Sequence, residues 1–150
     1  MAHTFVSIYV HATFSTKNRE KIIDENLQER LWHYMSGIAH VNKFKAIAVG
    51  GTEDHVHLLL SLLATISVSK AMQLIKAGSS KWIHENFPDK SEFTWQEGYA
   101  AFSVGISKVD KTVAYIKQQA EHHRKIGFQE EYLLFLKEHV IEYDERYIWG

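Results

Sequence analysis

The sequence predicts an α+β fold: a ferredoxin-like (RRM-like) antiparallel sheet in βαββαβ order, with an added C-terminal tyrosine-bearing helix and a further helix. Three features predict it. The chain opens on a stretch of apolar alternation, two short apolar runs flank a Gly-Gly break, and segments with apolar residues at helical spacing lie between and after them.

From His3 to Phe14, Val6, Ile8, Val10, Ala12 and Phe14 fall on one side and Phe5, Ser7, Tyr9 and His11 on the other, the pattern of a half-buried strand. Asp24 is a plausible N-cap for a helix to about Val41, in which Leu27, Leu31, Tyr34, Met35 and Ile38 recur at helical spacing. Phe44 to Val49 and His55 to Leu62 are short apolar runs around Gly50, Gly51, Thr52, Glu53 and Asp54, which predicts a hairpin. Ser67 can cap a second helix carrying Val68, Met72, Ile75 and Trp82 and closed by Pro88. A strand follows from about Tyr99 to Ile106. Ser107 and Asp110 form a capping-box pattern for a third helix reaching Lys125, and Glu130 to Tyr143 reads as a fourth. This order predicts helices on one sheet face and leaves the other face free for a ligand. No repeat, low-complexity stretch or linker interrupts the chain, and the longest irregular segment runs from Phe87 to Thr94.

With 150 residues, 45% of them hydrophobic, the chain can build one core, and residues 1–150 are expected to form a single domain. The absence of cysteine excludes disulfides, thiolate nucleophiles and cysteine-rich zinc sites, so a metal has to be held by histidine, carboxylate or amide oxygen. The N-terminal run lacks a basic start and is broken by Ser7 and His11, and no later segment could span a membrane; both point to a cytoplasmic protein without a membrane partner. Residues 1–125 hold 15 Lys+Arg against 12 Asp+Glu, a balance of +3, and residues 126–150 hold 2 against 6, a balance of -4. A mildly basic body with an acidic tail suits a polyanion partner, although a solvated acidic helix gives the same count.

His55 and His57 sit two apart in a strand, so both side chains leave one face and can converge on one ion; half-buried strand histidines show the same spacing. In the third helix Val109, Val113, Ile116 and Ala120 form a core stripe, while Lys111, Tyr115, Gln119 and His122 share a neighbouring one. At about 100° per residue, Gln119 lies on the core side of Tyr115 and Gln118 on the solvent side. A boundary tyrosine with its ring packed and its hydroxyl in water fits that stripe too. Taken together, two neutral imidazoles and an amide oxygen form an open site for a divalent cation such as Mg²⁺ or Mn²⁺. Tyr115 then supplies a hydroxyl for covalent catalysis on a phosphodiester.

The run from His55 to Leu60 resembles the histidine, hydrophobe, histidine motif of HUH endonucleases. The segment Tyr115 to His123 is similar to the nucleophile helix of their single-tyrosine insertion-sequence transposases, which include the repeat-associated tyrosine transposases. Trp95 to Tyr99, then Phe102, Ser103 and Val104, and the run Phe14 to Arg19, also resemble that family, in the same order along nearly the whole chain. The resemblance implies a homodimer acting on single-stranded DNA with hairpins as recognition features. It implies cation binding by His55, His57 and Gln119, nucleophilic attack by Tyr115, and a 5′-phosphotyrosine beside a free 3′-hydroxyl. The tyrosine helix of one subunit can complete the histidine pair of the other in that family.

Three other readings compete. A histidine-triad nucleotide hydrolase needs a third histidine where Leu59 stands, and an RNA-binding module needs a glycine and aromatic signature that the His55 strand lacks. A domesticated, non-catalytic hairpin DNA-binding protein would not need the intact set of His55, His57, Tyr115 and Gln119. Lys17, Arg19, Lys21, Lys76, Ser79, Ser80 and Lys81 are candidate phosphate contacts, and Phe5 and Tyr9 candidate base-stacking residues. His11 is read as a surface histidine or as a support behind a metal ligand. Gly105 and Ser107 offer a pliable joint before the tyrosine helix.

Overall fold

The computed structural model describes residues 3–119 and 126–150. Strand β1 (Tyr9–Ser15) is followed by helix α1 (Glu25–Val41), β2 (Lys45–Gly51), β3 (His55–Ser61), α2 (Val68–Asn86), β4 (Ala100–Val104), α3 (Val109–Lys117) and α4 (Phe128–Glu138). The strands form one antiparallel sheet in the order β2-β3-β1-β4, as a ferredoxin-like α+β fold requires.

Local chemistry sets the helix ends. Asp24 accepts a hydrogen bond from the Leu27 backbone N–H at 3.0 Å, and Ser67 from that of Lys70 at 3.0 Å, so both predicted caps form. Beyond α1 the chain turns left-handed at Lys43 (φ 67°), and the N–H groups of Lys43 and Phe44 return to the carbonyls of His40 and Ala39. Leu27, Leu31 and Met35 of α1 and Met72, Ile75 and Ile83 of α2 pack onto Val10, Ala12, Phe14, Val56, Leu58 and Leu60. That face of the sheet carries the main core. Tyr34 instead sits partly exposed and stacks on Trp82 at 4.6 Å between ring centroids.

Several boundaries differ from the sequence reading. Strand β1 starts at Tyr9 and not at His3, and Phe5 is 93% exposed. Alternation in residues 3–8 specifies a face but no partner, and among them only the Ile8 carbonyl joins the sheet's hydrogen bonding, to Leu62 N–H at 3.0 Å. The Ser107–Asp110 capping box does not form: Ser107 lies in a 3₁₀ turn (Ile106–Lys108), and α3 begins after Lys108 without a side-chain cap. The predicted end of that helix at Lys125, with Ala120, His122 and His123, lies outside the described residues. Helix α4 starts at Phe128, two residues early, and closes well before Tyr143. Its end is a left-handed turn at Val140 (φ 54°), with Val140 and Ile141 N–H returning to the Lys137 and Leu136 carbonyls.

The second sheet face is not free. Ile116 of α3 is buried against Ala48 and Leu59, and Phe128, Tyr132 and Leu136 of α4 pack on Ala100 and Phe102. The physical reason is that this face presents Leu59, Ala100 and Phe102, an apolar strip that leaves the amphipathic α3 and α4 their own burial partner. At Gly50 the α3 backbone lies directly on β2: a Cβ built there meets the Ile116 carbonyl oxygen at 2.4 Å. Backbone lies against backbone at that point, which only glycine permits.

Candidate active site

His55 and His57 leave β3 on the face that α3 and α4 cover, and both are fully buried. Each presents the same edge inward. His55 Nδ1 lies 2.7 Å from Asp54 Oδ1 and 3.0 Å from Thr52 Oγ1, and its Nε2 is 3.1 Å from Gln119 Oε1. His57 Nδ1 lies 2.7 Å from His11 Nε2, and its Nε2 is 2.8 Å from Glu131 Oε1. When each Nδ1–H donates to its outer partner, both Nε2 lone pairs point into a common space, the arrangement a metal ligand needs.

His11 is 4% exposed and is no surface histidine. Burial first, then the neighbouring His57, lower its pKa to about 3, so it stays neutral and can accept from His57. The register places it there: on β1, His11 pairs with Leu59 and Thr13 with His57.

Tyr115 approaches from α3. Its ring centroid is 5.7 Å from that of His57, nearly perpendicular, and its hydroxyl donates to Glu131 Oε2. Burial, then the Glu131 hydrogen bond and charge, push its pKa well above the ordinary phenol value, so the hydroxyl stays protonated near neutral pH. Gln119 is buried and Gln118 exposed. Gln119 Nε2 donates to the Tyr115 carbonyl at 3.3 Å while its Oε1 faces His55. His55, His57, Tyr115 and Gln119, far apart in sequence, thus lie together within one chain.

Glu131 is the residue that reading the sequence did not single out. His55, His57 and Glu131 each offer a donor atom within 4.8 Å of the others, all three residues buried. Ligand bonds of about 2.0–2.2 Å to one divalent ion bring donors to such spacings, and two imidazoles with one carboxylate suit Mn²⁺ and related ions. The donor set therefore fits a divalent metal, with Gln119 Oε1 as a further oxygen. A signal was present: Glu131 stands in the buried row Phe128, Tyr132, Leu136 of an amphipathic helix, where an ordinary carboxylate would face water. Asp54, which orients His55, was also missed; it directly precedes the histidine pair.

Other candidates are placed elsewhere. Lys76 Nζ donates to the carbonyls of Gln96, Glu97 and Gly98 at 2.7, 2.9 and 2.9 Å, which makes it a loop clamp and not a phosphate contact. Ser79 is buried and accepts from Trp95 Nε1 at 3.0 Å. Phe5 lies outside the sheet, and Tyr9 packs against the small cluster around Leu59 and Ile116. Lys17, Lys21 and Lys81 are exposed, and Arg19 lies over the Trp149 ring. No helix among the described residues is long and apolar enough to cross a membrane.

Comparison with known proteins gives a consistent picture. The sequence profile of the family described as IS200-like transposases matches residues 4–119. Transposases of insertion sequence element IS200 from Salmonella typhimurium and Salmonella typhi are each 27% identical over 134 residues, covering 86% of this chain and 87% of theirs. Among solved structures, a candidate transposase from Deinococcus radiodurans superposes with a TM-score of 0.66 at 21% identity, covering 79% of this chain and 96% of that one. A REP-associated tyrosine transposase bound to a REP hairpin superposes with a TM-score of 0.61 at 15% identity, covering 84% and 74%.

Proposed function

Because this chain belongs to the family of IS200-like transposases, we propose that it cuts and rejoins single-stranded DNA through a 5′-phosphotyrosine on Tyr115, with a divalent cation, Mg²⁺ or Mn²⁺, at His55 and His57. The observation that carries this reading is the meeting of the Tyr115 hydroxyl with the histidine pair through Glu131. A hydroxyl donor, two imidazoles, a carboxylate and an amide around one space make a poor structural core but a workable site for phosphoryl transfer.

In the proposed reaction the Tyr115 oxygen attacks phosphorus. The bond from phosphorus to tyrosine forms as the bond to the 3′-oxygen breaks; the phenolic proton leaves Tyr115, and a proton ends on the released 3′-hydroxyl. Attack by that hydroxyl, or by another, reverses the step and joins strands, because the phosphotyrosine keeps the energy of the phosphodiester. Bound at His55, His57, Glu131 and Gln119, a divalent cation supplies positive charge that offsets Glu131 and polarises the phosphate. Asp54 and His11 hold the two imidazoles in the tautomer that turns the Nε2 lone pairs towards the cation.

The working unit in this reading is a homodimer on single-stranded DNA carrying hairpins. The hairpin bound by the REP-associated neighbour supports that partner. Incubating the protein with labelled single-stranded DNA from the flanks of its own gene, followed by a denaturing gel, tests the reading. A covalent adduct, cleavage and joining are expected of the wild type and should vanish together in Tyr115→Phe, with hairpin binding kept. An adduct on Tyr115→Phe would pass the role of nucleophile to another residue.

A further inference from the structure

A cavity of about 440 Å³ opens beside Tyr115, between β4, the start of α3 and the end of α4. Its apolar side is a preformed aromatic wall. Phe102 stacks on Phe135 with ring centroids 5.3 Å apart and planes 19° apart, and the His139 ring stacks on Phe102 at 4.6 Å and 29°. Across from that wall stand Lys108 and Lys111, both exposed, and neither forms an ion pair among the described residues. Glu138 is the one acidic residue on the lining and is itself exposed at the rim. The cavity thus joins aromatic rings, two cations and the Tyr115 side chain on one lining.

We infer that this cavity receives the nucleotide adjoining the scissile phosphodiester of a single-stranded DNA, with the base against Phe135 and His139 and the phosphate towards Lys108 and Lys111. The inference rests on the reading of Tyr115 as nucleophile. A phosphorus in attack range stands about 3–3.5 Å from the tyrosine oxygen, so the neighbouring nucleoside must lie against whatever flanks that oxygen. Tyr115 lines two cavities: the one beside Glu131, of about 200 Å³, falls below the range of about 300–1,000 Å³ that takes one small ligand, and this one, of about 440 Å³, falls within it. A base still stacked and paired in a duplex does not reach such a space, whereas one unstacked base does. Aromatic stacking beside lysine is the chemistry that binds single strands with little sequence preference. On the far side of the sheet Arg30 lies over Trp82 and Phe87, and Tyr34 stacks on Trp82, but among the described residues that group lines no cavity with Tyr115.

The probe is thymidine 3′,5′-bisphosphate, a single nucleoside with a phosphate on each side, titrated calorimetrically into the full chain carrying Tyr115→Phe. Saturable one-to-one binding is expected. Lys108→Ala/Lys111→Ala, two exposed positions that leave folding intact, should weaken it about tenfold or more, and Phe135→Leu by a similar factor. Lys70→Ala, exposed on the opposite face of the sheet, should leave it unchanged. Absence of saturable binding, or equal affinity in the double lysine variant, overturns the inference. Should wild type form the covalent adduct while the double lysine variant cleaves the same DNA with unchanged KM and unchanged loss on removing the flanking base, the cavity assignment fails and the nucleophile reading stands. Should the bisphosphate bind with the expected lysine dependence while no adduct forms on any flanking DNA, the nucleotide pocket stands and the nucleophile reading fails.

Discussion

The Tyr115 hydroxyl donates a hydrogen bond to Oε2 of Glu131, a residue 16 positions further along the chain. The other oxygen of that carboxylate faces His57 Nε2, so one side chain contacts both halves of the proposed chemistry. Glu131→Gln keeps the shape and removes the charge. Affinity for Mn²⁺, read by electron paramagnetic resonance titration of the DNA-free protein, should fall by at least about tenfold. Equal Mn²⁺ affinity in variant and wild type would show that Glu131 is no ligand.

His11 should act on the metal only through His57. His11→Leu removes the acceptor for His57 Nδ1–H and should cost about 10- to 100-fold in Mn²⁺ affinity, while His11→Gln, which still offers an acceptor, should recover most of it. Recovery by Gln and not by Leu separates an orienting role from mere packing.

The same histidine makes the metal-free protein acid-sensitive. Its pKa is lowered from 6.5 to about 3 in the folded state, so the unfolded chain binds a proton that the folded protein refuses. The resulting stability is complete above pH 6.5 and is lost as the pH falls towards 3, at up to about 1.4 kcal/mol per pH unit. Urea titrations in chelator across that window should show a shallower loss for His11→Gln; parallel curves for the two proteins would count against His11 as the source.

Tyr115 lies beside the His57 of its own chain. Mixing His55→Ala/His57→Ala protein with Tyr115→Phe protein should therefore give verified heterodimers that stay inactive, as neither chain holds a complete site. Restored cleavage in those heterodimers would mean that the tyrosine helix crosses to the neighbour in the working state.

Gly50→Ala should hit activity harder than stability. The new Cβ would meet the Ile116 carbonyl at 2.4 Å, and the clash is relieved by α3 moving outwards with Tyr115 on it. Overpacking of this kind costs on the order of 1–3 kcal/mol. Thermal melts should stay cooperative while the cleavage rate drops by a factor of roughly 100, since a shift of about 1 Å in a reacting group is enough for that. A Gly50→Ala protein that cuts at the wild-type rate would show that α3 has slack.

Much of this architecture could be read from residues alone, for identifiable reasons. Period-two spacing put His55 and His57 on one face, helical spacing put Gln119 and not Gln118 beside the histidines, and Asp24 and Ser67 capped as their side chains allow. What stayed hidden depended on tertiary partners. Residues 3–8 alternate as well as the strand after them but, Ile8 apart, make no backbone hydrogen bond to the sheet. The covering of the second sheet face depends on α4 folding back, which a local pattern does not encode. Gln96 helps hold that tail, with its Nε2 donating to the Gly150 carbonyl at 2.9 Å and its Oε1 accepting from Ser15 N–H at 2.7 Å. Glu131 was read as one more charge in an acidic tail because its burial exists only once α4 has docked.

The family profile stops matching at residue 119, and Glu131 comes from beyond it. Tyr115 and the histidines lie within the matched span, while the carboxylate that touches both comes from α4, after it. Ion preference and access to Tyr115 can therefore change through α4 alone, with the sheet that carries the histidines left as it is. Chimaeras that carry this tail on the body of a relative should inherit its metal preference with it.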